Sequence, residues 1–286
     1  MTKMTIFTRD IIAARQVEWA TQNGIALDGS YTRSVEDNVF GGELHPRTRK
    51  EYERGEGHEL EGERVHMEAL HSSSALVVNV FDYWRRRNRI QDIAGCCGAG
   101  SDVFGMEFEK THPIDSVDRT SPHLDVEFDG RSPQAIESKF TETYRRKTRR
   151  PNADTHLDQY LAQRDIWGGI PRVQVLAKSI VQQSETKTEF QYLDVPQLIK
   201  HILGLNSSYH GRCALLYLWY QVDSLEAERH EQELERFCSM IGSNIRFRAM
   251  THQDLFERIK RVPDVDSAYL QYLERRYFPS GELIGP

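Results

Sequence analysis

The run "CALLYLWY", residues 213 to 220, constrains the fold more than any other feature. It has no polar face, so it cannot lie half-exposed at the edge of a sheet. It falls well short of the roughly 18 apolar residues that cross a bilayer, and no other run in the chain is longer. Its length suits a strand buried on both sides. The neighbouring segments supply the cover. "VPQLIKHILGL" predicts a helix from 195 to about 204, and "EAERHEQELERFCSMIG" a second, with Leu234, Phe237 and Ile241 facing inward. "NIRFRAMT" alternates Ile245, Phe247 and Ala249 as a strand does, and Thr251 caps a helix in "THQDLFERIKR". The expected class is α/β, a mixed central sheet flanked by helices.

Upstream lie two short alternating runs, "HLDVEF" and "AIESKFTE", joined by the turn-forming "DGRSPQ". They predict a hairpin with a longer loop. Leu124, Val126 and Phe128 share one face of the first strand, leaving Asp125 and Glu127 on the other. On the second strand Glu137, Lys139 and Thr141 oppose Ile136, Ser138 and Phe140. A loop symmetric about Arg131 sets Asp125 across from Glu137. Like charges so placed repel, and acids are poor strand formers. Three arrangements relieve the cost: a solvated face, an ion pair through Lys139, or a divalent cation between the carboxylates. Acid-x-Lys recurs by chance, as Glu185 and Lys187 show in the polar "SETKTEF". The apolar flanks and the preceding acid set Glu137-Ser138-Lys139 apart.

The rest of the chain is less explicit. Residues 1–60 read as a polar extension with helix potential at 9–22, and 51–63 as a connector or a solvated helix face. From Glu63, helical spacing of Leu70, Val77, Phe81 and Trp84 predicts one long amphipathic helix, with Glu68, Ser72, Ala75 and Asn79 on another stripe. "DVFGMEFE" is a short-strand candidate. Four cysteines without C-x-x-C spacing predict reduced thiols rather than a zinc or redox site. The formal net charge of −6 does not announce a nucleic-acid binder, yet the charge is segregated. Basic clusters stand at "WRRRNR" and "YRRKTRR". No secretory signal is evident, so a cytoplasmic protein is expected.

Asp125 with Glu137-Ser138-Lys139 resembles the PD-(D/E)xK nuclease superfamily and its restriction-endonuclease-like core. "HSSSALVVNVF", "ESKFTE" and "CALLYLWY" resemble its predicted bacterial restriction-endonuclease branch. The likeness spans about residues 63 to 260, and the nuclease domain is expected over 61–286. The proline that usually precedes the aspartate is absent; Leu124 stands there and Pro122 lies three residues upstream of Asp125.

The resemblance implies a Mg²⁺-dependent DNA endonuclease of restriction or defence type, with Mn²⁺ able to substitute. Asp125, Glu137 and Lys139 would be catalytic. Asp125, Glu137 and the Ser138 carbonyl would hold the metal, with Glu68 a further ligand. Arg145, Arg146, Lys147, Arg149 and Arg150 would contact the backbone of double-stranded DNA, as would the cluster at 85–89. Glu127 is expected near the turn and facing solvent, and Glu142 on the wrong face. His71 and His123 are alternative bases or ordinary surface histidines. Tyr144 and Trp84, which flank the basic clusters, are expected in the core. A homodimer fits the need to cut two strands. The alternatives are a non-cleaving DNA-binding subunit and a nuclease active only with partners in a repair, transposition or defence complex.

Overall fold

In a computed structural model, which describes residues 7–55, 58–114, 121–147, 157–182 and 189–279, the chain opens with helix α1 (Thr8–Gln22). A small hairpin, β1 (Leu27–Asp28) and β2 (Tyr31–Thr32), leads to α2 (Pro46–Arg54). Next come α3 (Ser73–Arg86), α4 (Ile90–Cys96) and the strands β3 (Gly105–Thr111), β4 (His123–Asp129) and β5 (Gln134–Lys139). Helices α5 (Leu157–Ala162), α6 (Pro171–Gln182) and α7 (Val195–Tyr209) carry the chain to β6 (Ala214–Trp219). Helix α8 (Leu225–Ile241), strand β7 (Arg246–Thr251), and helices α9 (His252–Ile259) and α10 (Ser267–Arg276) complete it.

The five long strands form one sheet in the order β3-β4-β5-β6-β7. The first three pair antiparallel, whereas β5, β6 and β7 run parallel. This is the mixed α/β sheet expected from the sequence. Strand β6 is internal, and Leu215 through Trp219 are all buried, as an apolar run with no polar face requires. Parallel neighbours need long crossovers. Here α5 to α7 make the one between β5 and β6, and α8 makes the next.

Helix α3 begins ten residues later than its apolar spacing predicts. Ser72 caps it by accepting the Ala75 N–H at 3.2 Å, and a 3-10 turn, His66–Glu68, precedes the cap. A serine oxygen at that position competes with continued helix, and so sets the start. Its apolar face reaches the sheet, with the Phe81 and Phe128 ring centres 6.2 Å apart. Burying such a ring fully contributes about 1.5–3 kcal/mol.

The polar stripe of α3 faces the first 55 residues rather than solvent. Asn79 accepts the Phe40 N–H at 2.7 Å, and Asp82 accepts from the Thr48 hydroxyl at 2.5 Å. Arg85 lies 2.6 Å from Glu51, which is 2% exposed. The 51–63 segment is therefore no simple solvated connector. Its helical part is tied into the core by a buried ion pair, and Ile12, Val35, Val39, Leu44 and Tyr52 pack in the same apolar cluster as the sheet. Breaking such a pair from one side costs about 3–5 kcal/mol.

The same contacts give the 85–89 cluster, expected at the DNA backbone, partners within the protein. Arg86 reaches the Phe40 carbonyl at 2.8 Å and Asp82 at 3.3 Å. Arg87 pairs with Asp266 at 3.0 Å, and Arg89 with Asp92 at 2.6 Å and the carbonyls of Pro263 and Asp264. Each guanidinium already has protein acceptors. Trp84 and Tyr144 are core residues, and all four cysteines are free thiols. Among the described residues no helix is long and apolar enough to cross a membrane.

Candidate active site

Strand pairing brings the acids together. Val126 faces Ile136 and Glu127 faces Ala135, so continuing that register sets Asp125 opposite Glu137. On the other side, Phe108 faces Val126 and Lys110 faces Leu124, which sets Glu109 opposite Asp125. Glu137 faces Tyr217 across the parallel pair. Glu109, Asp125, Glu137 and Tyr217 thus form one row across four strands.

Glu137 is 3% exposed, and both its oxygens have cationic or imidazole neighbours. Oε1 is 2.6 Å from Lys139 Nζ, and Oε2 is 3.1 Å from Nε2 of His201 on α7. Burial pushes this carboxyl up, but Lys139 and His201 together outweigh it and bring it down to about 2. The same pairing acts on Lys139. Burial works against its charge, while Glu137, then Glu142 and Asp125, hold the ammonium protonated far above its usual range. The Glu137–Lys139 pair is therefore ionised at neutral pH.

Asp125 has less support. Its Oδ2 accepts the Ser138 N–H at 2.6 Å, and no other hydrogen bond reaches it among the described residues. Burial, then the charges of Glu137 and Glu109, push it well above the usual aspartate range; Lys139 and the Ser138 amide oppose them. Glu109 behaves likewise. Burial, then Glu59 and Glu137, raise it to about 8, and it has no hydrogen-bond partner among the described residues. Its backbone sits at φ 51°, the left-handed region that a non-glycine residue enters at a cost of about 1–3 kcal/mol. Strain and unrelieved carboxyl charge coincide at one residue.

Sequence reasoning missed Glu109, Glu59 and His201. Glu109 stands in "GMEFEK", a readable strand, but its place beside Asp125 depends on how β3 pairs. His201 sits on an amphipathic helix more than sixty residues beyond Glu137 in the chain. A polar residue on a buried face was the one available signal; His201 is 3% exposed, and its Nδ1 has no hydrogen-bond partner among the described residues.

The remaining expected residues separate into two groups. Ser138, 1% exposed, gives its amide to Asp125, and its hydroxyl lies 2.9 Å from His252 Nε2. Glu142 enters the site: it accepts the Phe140 N–H at 2.8 Å and acts on Lys139. The helical turn after β5 breaks the strand alternation that assigned it to the other face. Glu68 lies before α3, not on it, and its carbonyl accepts from the Thr32 hydroxyl at 3.2 Å. Glu127 is fully buried rather than solvent-facing. Lys110 at 2.7 Å, His112 at 2.8 Å and the Tyr209 hydroxyl surround it. His123 lies 3.0 Å from the Thr111 hydroxyl, two residues before Asp125 on β4.

Beside the row opens a cavity of about 360 Å³, whose lining includes His71, Arg145 and Lys147. Burial, then Arg9, lowers the His71 imidazole pKa. Lys147 also lies 3.2 Å from Asp194, and Arg146 is exposed. Arg149 and Arg150 lie outside the described residues.

The donor set suits a hard cation: oxygens only, with Asp125 raised by burial and then by Glu137 and Glu109, and Glu109 raised by burial and then by Glu59 and Glu137. Among the described residues no group of three or more His, Cys, Asp or Glu is gathered closely enough to enclose a metal. Magnesium does not need one, since it takes one or two carboxylates and keeps several waters.

A family model described as restriction endonuclease associating with ARP matches residues 13–278. No curated protein and no solved structure matches the chain.

Proposed function

Because the chain belongs to the family of restriction endonucleases associating with ARP, we propose that it is a metal-dependent endonuclease hydrolysing phosphodiester bonds of double-stranded DNA. The observation that carries this reading is the row of Glu109, Asp125 and Glu137, with a charged lysine at its end. Burial, and then neighbouring acids, raise two of its carboxyls, Asp125 and Glu109, above their ordinary values. Asp125 and Glu137, with the Ser138 carbonyl, would hold Mg²⁺, or Mn²⁺ in its place; the ion supplies charge neutralisation at the phosphate and acidifies water.

The protein's own groups do the rest. Lys139, locked protonated by Glu137, is a compact cation for orienting the attacking water or meeting charge that develops on phosphorus oxygens. His201 Nε2, 3.1 Å from the second Glu137 oxygen, is the group that would orient this carboxylate. The Ser138 amide does the same for Asp125. Arg145, Arg146 and Lys147 supply cations for the DNA backbone, which position the duplex without reading it.

The family description favours a second reading, in which cleavage requires an associated protein. Plasmid incubated with purified protein, with and without Mg²⁺, tests both readings. Nicking that needs Mg²⁺ and vanishes in Lys139→Ala supports the first. Nicking that appears only when ARP, the associate in the family description, is added supports the second. DNA binding with no cleavage under either condition would leave a binding subunit. Cutting both strands suits a homodimer, which sedimentation of the protein on DNA would reveal.

A further inference from the structure

Resting on that nuclease reading and extending it, we propose that the cavity beside Lys139 is a subsite for a second nucleic-acid phosphate, gripped by Arg9 and Arg145. The wall includes Arg9 from α1, Glu59, both Ser72 and Ser73 at the start of α3, and Thr141, Glu142, Arg145 and Lys147 after β5. Thr141 stands two residues beyond Lys139, and the Glu142 charge is felt at Lys139. Thr141 and Glu142 thus tie the cavity wall to Lys139 along the chain.

Its chemistry favours an anion. Arg9 and Arg145 have no carboxylate partner among the described residues, unlike the paired arginines at 85, 86, 87 and 89. The first-turn N–H groups of the 14-residue α3 add the positive end of a helix dipole to the wall. The two acids present are partly occupied. Glu142 is spent on the Phe140 amide, and burial raises Glu59 despite its hydrogen bond to Ser74. Guanidinium forks match phosphate oxygens in pairs. The volume of about 360 Å³ lies within the small-ligand range, so a nucleotide's phosphate and sugar have room. Both an internal phosphodiester and a terminal phosphate present this chemistry.

Binding without cleavage tests it. The full chain in EDTA is titrated with a fluorescent short duplex, carrying or lacking a 5′-phosphate, across a salt series. Arg9→Ala and Arg145→Ala are each expected to weaken binding about tenfold and to reduce the logarithmic salt slope by about 1. Arg131→Ala, at the far end of the hairpin, should leave the slope unchanged. Loss on both duplexes assigns an internal phosphate, and loss only on the phosphorylated duplex a terminal one. Wild-type affinity and slope in both cavity variants, or equal losses in all three, would overturn the proposal. Arg9→Gln, checked by its thermal melt, guards against a folding artefact. Wild-type protein that binds through Arg9 yet never cuts sinks the nuclease reading and spares the subsite; cutting with binding indifferent to both arginines does the reverse.

Discussion

Asp125 and Glu127 stand two residues apart on the same strand, and the protein treats them oppositely. Glu127 is met by an ammonium, an imidazole and a phenol, so its carboxyl lies below the usual range although burial pushes it up. Asp125 receives one backbone amide, and burial and then two further acids push its carboxyl well above that range. The first site is complete within the protein. The second keeps two acidic neighbours against one amide and the Lys139 charge. Two acids on one strand thus differ in charge balance by what surrounds them, a difference that the nuclease reading takes as an anchor beside a binding group.

Swapping charge for amide at each position should break the contrast most visibly. Asp125→Asn is expected to lower DNA cleavage by about a thousandfold or more, read by plasmid nicking, while the denaturant midpoint holds or rises. Removing a like charge from a crowded row relieves repulsion. Glu127→Gln should do the opposite: destabilise by about 2–4 kcal/mol in urea, because Lys110 and His112 keep their burial and lose their counter-charge. Equal stability losses for the two variants would refute the division.

The pH dependence of stability carries the same opposition. Glu109 has a folded pKa near 8 against an ordinary 4.5, so between those values the folded state holds the extra proton. Its contribution is complete below about 4.5 and is lost as pH climbs through 8. Glu127 has the reverse sign. Its contribution is present above the ordinary glutamate value and is lost as pH falls through its lower folded one. Thermal melts from pH 5 to 9 should therefore show an alkaline decline that flattens in Glu109→Gln, and that Mg²⁺ reduces in the wild type. Smallest of all, Glu68→Ala should shift stability by less than about 0.5 kcal/mol, as substitutions away from buried networks do. It should also leave the nicking rate within about threefold.

Much of the site was legible. Period-two alternation and the Asp-Gly and Ser-Pro turn signals locate the hairpin, and its loop symmetry places Asp125 opposite Glu137, the register the pairing shows. The fate of the basic clusters was not. Both read as runs of arginine and lysine, yet Arg85 to Arg89 end on Glu51, Asp82, Asp92, Asp266 and nearby carbonyls, whereas Arg145 faces a cavity. A side chain's nearest charge on the sequence says little about its nearest charge in space. The start of α3 was not legible for a local reason: apolar spacing runs on upstream of Ser72, the capping serine at which the helix begins.

From its residues alone this chain determined a buried central strand, an acid-bearing hairpin beside it, and so the mixed sheet and the identity of Asp125, Glu137 and Lys139 as neighbours. Those follow from periodicities only a few residues long, which side-chain geometry imposes wherever the chain runs. Tertiary structure alone decided which acids are neutralised. Glu109, Glu59 and His201 reach the row from distant segments, and the strength of each charge interaction depends on separation and burial that appear only once strands pair and α7 closes over them.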